Sequence, residues 1–256
     1  ERRLPCPKTS WNFCAPCNPL PETRSKTPFM TLHSTHAGAG FVPTETVSGN
    51  LAGGLLLLCD HASNRVPPDY GDLGLPKEQF ERHIGYDIGV RPLTQELARR
   101  LDAPALMTTY SRLLIDPNRG EDDPTIVMRL SDGAVVPGNA RIDAAERQRR
   151  IERFHRPYHD LIDQTLDQML EAAAPPVIIS IHSYTPVWRG VPRPWHAGIL
   201  WDADPRAVRP FLDQLGADPD LVVGDNEPYD GALKHDTMYR HASKRGLAHA
   251  LLEVRQ

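Results

Sequence analysis

The sequence has little cysteine beyond its first residues. Cys6, Cys14 and Cys17 lie within the first 17 residues, and only Cys59 follows them. A single cysteine excludes an internal disulfide framework in the rest of the chain and favours a reducing, cytoplasmic setting. Cys14 and Cys17 have the C-x-x-C spacing of metal and redox motifs, but no second pair, histidine partner or strand-to-helix context accompanies them. We therefore expect this pair to have no function.

Long apolar runs and blocks of one charge are also missing. Residues 53–59, a short apolar run, fall far below the about 20 residues that a membrane span needs. The formal net charge is −4, and the richest basic stretch, residues 141–156, is interleaved with acidic residues. This pattern favours a solvated helix face over a nucleic-acid surface. We therefore expect neither a membrane nor a nucleic-acid partner, and the oligomeric state stays open.

The first 48 residues differ in composition from the rest. They are rich in Pro, Thr, Ser and Cys and show no sustained period, which predicts a disordered N-terminal extension over residues 1–48. Residues 49–256 are predicted to form one α/β domain. The chain stops at Gln256, directly after the last predicted strand. An apolar strand normally needs a covering element after it, so we expect the sequence to be truncated at its C-terminus.

From Leu51 onward, short apolar runs alternate with amphipathic segments. The continuous runs Leu55–Cys59 and 177–181 predict strands that are buried on both faces. Further extended segments are predicted at 105–110, 112–115, 198–201, 221–223 and 250–254. Helices are predicted at 92–101, 143–170 with a break near Pro157, 211–215 and 234–246. This alternation predicts an α/β fold with a mostly parallel or mixed central sheet and helices on both faces.

Polar side chains lie at the ends of three predicted strands. Asp60 and His61 follow the first strand, His182 follows the second, and Glu253 lies in the last. In parallel α/β sheets, ligands bind at the carboxyl ends of the strands. Imidazoles and carboxylates brought together there suit a catalytic divalent metal ion, with three protein ligands and a water. The alternative, that each histidine is an ordinary hydrogen-bonded core or surface residue, stays open on these residues alone.

Several further polar residues each allow two interpretations. Arg112, Asn118 and Arg119 surround a predicted strand-to-loop transition. The two guanidinium forks suit a substrate carboxylate, or these side chains form a surface ion-pair network. Asp87 precedes the first clear helix as an N-cap or as an anionic metal ligand. His159 lies on the long helix, either at the surface or facing the cleft.

The order of these motifs resembles a known family. From about Gly54 to Gln256 the chain carries, in order, Cys-Asp-His-Ala-Ser-Asn-Arg-Val-Pro (59–67), His-Ile-Gly-Tyr-Asp-Ile-Gly (83–89), Tyr-Ser-Arg-Leu-Leu-Ile-Asp-Pro-Asn-Arg (110–119), Ile-His-Ser-Tyr-Thr-Pro (181–186) and Gly-Asp-Asn-Glu-Pro-Tyr (224–229). This succession resembles the N-formylglutamate amidohydrolase family. The resemblance implies a phosphorylase/hydrolase-like fold, similar to that of zinc carboxypeptidases. It also implies metal-dependent hydrolysis of an N-acyl amide, typically N-formylglutamate in histidine breakdown.

The wider zinc-carboxypeptidase-like group implies a role for each matching position. His61 and His182 match its two histidine ligands, and Asn118 with Arg119 matches its pair for the substrate carboxylate. Glu253 matches its catalytic glutamate, which would act as the general base.

One position departs from that pattern. Asn64 stands where the group has a ligating glutamate. The third ligand is therefore either Asn64, which carries no charge, or Asp87. Arg112 is expected to assist Arg119 with the substrate carboxylate. His159 is the next candidate for the base if Glu253 is structural.

The resulting hypothesis is a cytoplasmic hydrolase of N-formylglutamate or a related N-acyl amino acid. Its cofactor would be a divalent metal ion, Zn²⁺ above all, and its partner a small carboxylate-bearing substrate. One alternative is a metallo-amidase or peptidase with another substrate. The other is a non-catalytic small-molecule-binding protein on the same scaffold, since a fold does not dictate function. Glu253 speaks against the second alternative, because a pure binder needs no base beside a metal.

Overall fold

The computed structural model describes residues 40–232 and 234–256, which fold around a seven-stranded sheet. The strands in chain order are β1 (Thr44–Val47), β2 (Leu55–Cys59), β3 (Ala105–Thr108), β4 (Leu130–Ser131), β5 (Ala134–Val135), β6 (Val177–Tyr184), β7 (Val187–Trp188), β8 (Val191–Pro192), β9 (Ala197–Leu200), β10 (Val223–Asp225) and β11 (His249–Arg255). The helices are α1 (Lys77–Phe80), α2 (Val90–Leu101), α3 (Pro137–Ala140), α4 (Ala144–Arg150), α5 (Arg156–Ala172), α6 (Val208–Gly216) and α7 (Thr237–His241). A π turn (Ile151–His155) joins α4 to α5, and two 3₁₀ turns lie at Pro68–Tyr70 and Ser243–Arg245.

The central sheet is mixed, which confirms the predicted fold class. Its strand order is β1-β3-β2-β6-β11-β9-β10. The four strands β3, β2, β6 and β11 run parallel to one another. At one edge β1 pairs antiparallel with β3, and on the other side β9 pairs antiparallel with β11 while β10 runs parallel to β9. The small hairpins β4–β5 and β7–β8 lie outside this sheet.

Helices cover both faces of the sheet. Leu57 and Ile181 pack with α2 residues such as Ala98, and Leu252 packs with Val208 of α6 on the same face. Side chains alternate along a strand, so the neighbouring Leu56 points to the opposite face and packs against α5. Full burial of one leucine side chain contributes about 1.5–3 kcal/mol. The apolar strands thus form two core layers and leave their carboxyl ends for polar side chains.

The predicted break in the long helix takes the form of the π turn. Pro157 has no N–H group, and its ring would clash with the carbonyl of Arg153 in a regular helix. The π turn Ile151–His155 lies directly before α5 and ends two residues before Pro157. The wider turn therefore lets α4 and α5 continue as one helical stretch.

Two predicted boundaries are wrong. The strand β1 lies inside the stretch 1–48, and Thr44 pairs with Thr108 and Val47 with Ala105. Its short polar sequence carries no apolar run, and it is held by backbone pairing to β3. Residues 112–115 form a turn instead of a strand, because Leu114 N donates to Ser111 O. The expectations for residues 1–39, including Cys14 and Cys17, lie outside the described residues.

Within residues 40–232 and 234–256, no helix combines the length and the apolar character that a membrane crossing demands.

Candidate active site

The candidate site lies at the carboxyl ends of β2, β6 and β11. His61 follows β2, while His182 and Glu253 lie on adjacent strands as direct register partners. Asp87 lies just before α2, and its backbone N–H donates to the carbonyl of His61 over 3.0 Å. The loop is therefore tied to the end of β2, as the sheet topology predicts for a ligand site.

His61, Asp87 and His182 form a tight buried group. The Asp87 Oδ2 atom lies 3.3 Å from His61 Nδ1 and 2.9 Å from His182 Nδ1. The two imidazole centroids are 5.0 Å apart, and one ligand atom from each of the three residues lies within 4.8 Å of the others. The two histidines converge as the sequence analysis expected, and the group is able to hold a metal ion.

The other nitrogen of each ring is held by a separate carboxylate. His61 Nε2 donates to Asp116 Oδ1 over 2.7 Å, and His182 Nε2 donates to Asp60 Oδ2 over 3.0 Å. A neutral ring held in this way has the lone pair of its Nδ1 free for a metal ion, and carboxylate–histidine–metal arrangements have this form. A protonated ring instead donates its Nδ1–H to Asp87 Oδ2. The donor set therefore fits a divalent ion.

Charges within the group stabilise one another strongly. Burial by itself would raise the pKa of Asp87, but the His61 and His182 imidazoles outweigh burial and hold that pKa far below its usual range. Burial by itself would lower the pKa of His182, and hydrogen bonds to Asp60 and Asp87 instead raise it well above its usual range. Ionised carboxylates around two imidazoles thus create a site that attracts positive charge.

The pKa of Glu253 is shifted in the opposite direction to that of Asp87. Glu253 is 7% exposed, and its Oε2 atom has no hydrogen-bond partner among the described residues. Burial raises the pKa of Glu253 to about 7, although the nearby His182 acts in the other direction. Two carboxylates in one site with pKa values displaced in opposite directions are typical of acid–base chemistry.

Arg112 lies inside the site but is already paired. Its Nε and Nη2 donate to Asp116 Oδ2 over 3.2 and 2.8 Å, and its Nη1 donates to Asp87 Oδ1 over 3.3 Å. These bonds hold the two carboxylates that contact His61. The geometry therefore gives Arg112 a positioning role, in contrast to the substrate contact expected from the sequence.

Asn118 and Arg119 keep free donors. Asn118 Oδ1 accepts from Thr237 N over 3.0 Å, which leaves its amide nitrogen without a partner in the described part of the chain. Arg119 is half-buried, and its guanidinium makes no hydrogen bond or ion pair with any residue that the structure describes. The two side chains are thus available for a carboxylate from outside the protein.

Asn64 lies apart from the histidine–aspartate group. Its amide nitrogen donates to the carbonyl of Phe80 over 3.2 Å, and it lines a separate cleft with residues such as Leu75 and Lys77. Between the two candidate third ligands, the geometry favours Asp87.

His159 is buried and does not lie at the surface. Its Nε2 donates to the carbonyl of Pro117 over 3.0 Å, and its Nδ1 lies 2.7 Å from His241 Nε2. Nearby, His155 Nε2 donates to the carbonyl of Arg119 over 2.8 Å. Both ring nitrogens of His159 are therefore engaged behind the Asn118–Arg119 loop, and none is left to meet a substrate.

The sequence analysis gave no role to Asp116 and no separate role to Asp60, which it noted only as a polar residue after the first strand. Both are completely buried and orient the histidines. Asp60 and His61 are adjacent, so in extended backbone they point to opposite sides, and Asp60 contacts His182 instead of its neighbour. The only sequence feature that pointed to a role for Asp116 was its position inside the motif at residues 110–119.

Comparison with known proteins identifies the family and the fold of the chain. The family model described as N-formylglutamate amidohydrolase matches residues 53–256. The structure of gene product Atu2144 from Agrobacterium tumefaciens is 31% identical, with a TM-score of 0.77 over 83% of this chain and 84% of that one. The N-formylglutamate amidohydrolase from Ralstonia eutropha JMP134 is 22% identical, with a TM-score of 0.60 over 84% of this chain and 86% of that one, which shows a shared fold. No curated protein matches the chain.

Proposed function

The chain belongs to the N-formylglutamate amidohydrolase family and is a hydrolase of a linear amide bond, and from this we propose that it hydrolyses N-formylglutamate with the help of a divalent metal ion. The observation that carries the proposal is the unpartnered carboxylate oxygen of Glu253 beside the buried His61, Asp87 and His182 group. We also propose a cytoplasmic location, since Cys59 is a free thiol.

We assign the metal-holding role to three residues of this group. His61 and His182 would each offer Nδ1, and Asp87 would offer a carboxylate oxygen. Two imidazoles and one carboxylate are a set that catalytic Zn²⁺ sites use, so Zn²⁺ is the proposed ion. When bound, such an ion lowers the pKa of a water and polarises the amide carbonyl.

Glu253 would move the protons of the reaction. Its Oε2 accepts a proton from the attacking water and returns it to the nitrogen of the leaving amino acid. A pKa of about 7 suits both steps, because a general base works best when its pKa lies near the operating pH. His61 and His182 stay in one orientation during this transfer, since Asp116 and Asp60 hold their Nε2 atoms.

Asn118 and Arg119 would hold the substrate. The guanidinium of Arg119 can bind a carboxylate with two parallel hydrogen bonds, and the amide nitrogen of Asn118 adds a third donor. Their loop is fixed from behind by His159, which holds the carbonyl of Pro117. Fixing the carboxylate in this way places the amide bond in register with Glu253.

The test is an assay of formate release from N-formyl-L-glutamate by the purified protein. The protein is stripped with a chelator, measured, and measured again after Zn²⁺ is restored. We expect activity to disappear and return, and the His61→Ala and His182→Ala variants to lose both bound metal and activity while keeping their circular dichroism spectrum. Full activity of the chelated protein would refute the metal role. Hydrolysis of other N-acyl amino acids without any release of formate would refute the substrate and support another amidase activity.

A further inference from the structure

A second cationic side chain lies buried near the site without a carboxylate partner. Arg193 is 8% exposed, and no described carboxylate lies within ion-pair distance of its guanidinium. Its Nη1 donates only to the carbonyl and hydroxyl oxygens of Thr185, over 3.3 and 3.4 Å. Buried guanidinium groups are normally paired, because removing a charge from water is costly. The arrangement therefore lacks a counter-ion.

Three aromatic rings surround this guanidinium. Its Cζ atom lies 5.5 Å from the ring centroid of Tyr184, 5.4 Å from Trp188 and 4.9 Å from Tyr229. We call Arg193 and these rings the Arg193 cage. Contacts with ring faces stabilise a guanidinium and hold its plane, while its N–H groups point outward along its edge. Besides Thr185, the guanidinium has a side-chain hydrogen bond with Tyr229 but no carboxylate partner in the described part of the chain, so its remaining N–H groups can meet a planar carboxylate.

The cage lies on the same face of the sheet as Glu253. Tyr184 follows His182 by two residues on β6, so both side chains point to the same face of the sheet. Gly198 of β9 is the register partner of Glu253, and the loop that carries Tyr229 presses against it. A Cβ atom at Gly198 would lie only 1.8 Å from the carbonyl oxygen of Glu227.

The pKa shift of Tyr229 is consistent with a location near Glu253. Its pKa is raised by burial, and the Glu253 carboxylate adds to that rise, while Arg193 opposes it. Glu253 also adds to the rise in the pKa of Tyr184, which burial causes in the first place. Two rings of the cage therefore lie in the field of the proposed base.

We propose that Arg193 binds the side-chain carboxylate of the substrate and makes the enzyme prefer dicarboxylic N-formyl amino acids. This inference rests on the proposed function and extends it to specificity. N-formylglutamate carries two carboxylates, and the guanidiniums of Arg119 and Arg193 both lack a carboxylate partner among the described residues. Each would hold one carboxylate, so that the formyl amide lies between them beside Glu253. A monocarboxylic substrate would leave Arg193 without its counter-ion.

The test compares Arg193→Met and Arg193→Lys with wild type on N-formyl-L-glutamate and on N-formyl-L-glutamine, its neutral isostere. We expect Arg193→Met to lower kcat/KM for N-formylglutamate by about 10²-fold, because a bidentate charge-assisted contact is lost. The value for N-formylglutamine should change by less than about threefold. Arg193→Lys should recover part of the loss, since it keeps the charge but not the fork. Arg189→Met is the matched control, because Arg189 stacks on the same Trp188 ring but is exposed.

One result would overturn the inference. If Arg193→Met and Arg193→Lys lower kcat/KM equally on both substrates, or on neither, the discrimination is unchanged and Arg193 does not bind the side-chain carboxylate. A lower temperature of thermal unfolding in both variants would then make Arg193 a structural cation. If wild type hydrolyses neither substrate, the proposed function fails, and calorimetric titration of the zinc-loaded protein with glutarate then tests Arg193 separately. Tighter binding of glutarate by wild type than by Arg193→Met supports the carboxylate role, and equal binding refutes it.

Discussion

Replacing Glu253 by glutamine should move activity and stability in opposite directions. The buried carboxylate has a pKa of about 7, against its ordinary value of 4.5. Each pKa unit corresponds to about 1.36 kcal/mol, so the ionised carboxylate lowers the free energy of unfolding by up to about 3 kcal/mol. Glutamine keeps the shape of the side chain and removes the charge. The variant therefore escapes this destabilisation but has no oxygen that can accept the proton from water.

The sign of the stability change depends on pH. Because the pKa in the folded state is raised, the destabilisation is absent below about pH 4.5 and complete above about pH 7. Urea denaturation of metal-free Glu253→Gln and wild type should thus give equal free energies of unfolding near pH 4.5. The variant should be more stable by up to about 3 kcal/mol at pH 8. Glu171→Gln, at an exposed position near the end of α5, is the control and should show no such trend.

The same variant is then assayed with Zn²⁺ restored. We expect kcat for formate release to fall by about 10²–10⁴-fold, the range of general acid–base catalysis, with metal content and KM nearly unchanged. A merely structural role would make the variant less stable at every pH and would lower activity only through unfolding. Wild-type kcat in Glu253→Gln, or a stability loss that does not vary with pH, would refute the assignment of Glu253 as the base.

Three further variants test the rest of the site. Asp87→Asn should weaken Zn²⁺ binding by at least about tenfold in a competition titration, and Asn64→Ala should not; the reverse order would make Asn64 the ligand. Arg119→Met should raise KM for N-formylglutamate by about 10-fold or more with a smaller effect on kcat, and an unchanged KM would remove Arg119 from substrate binding. Burial raises the pKa of Asp236 to about 6 from 3.8. The Asp236→Asn variant, whose side chain can still cap α7, should therefore gain about 3 kcal/mol of stability at pH 7.5 and almost nothing at pH 4 in urea denaturation. A stability difference that stays constant with pH would contradict burial of the charge as the cause.

Much of the fold could be predicted because its signals are local. The apolar runs of β2 and β6 are long and uninterrupted, and the polar residues after them mark the sheet edge where ligands bind. The strand β1 could not be recognised, since its four residues are held by pairing with a strand about 60 positions later along the chain. Local sequence carries no record of such a partner.

The candidate site shows the same division. His61, His182 and Glu253 follow from strand ends, which local patterns reveal. The pairing of Arg112 with Asp87 does not, because it joins residues 25 positions apart through the folding of two loops. The burial of His159 likewise depends on a contact with His241, 82 residues later. Sequence periodicity can say which face of a helix is apolar, but it cannot say that a polar side chain on that helix meets a distant one.

The central position of β11 has a consequence for how the protein is made. It lies between β6 and β9, yet residues 249–255 leave the ribosome after every other strand of the described sheet. Until they emerge, the edge of β6 exposes unpaired backbone groups, which invites pairing with another chain. The proposed general base, Glu253, lies on this same strand. A nascent chain that does not yet include β11 thus lacks both the strand between β6 and β9 and the carboxylate assigned to proton transfer.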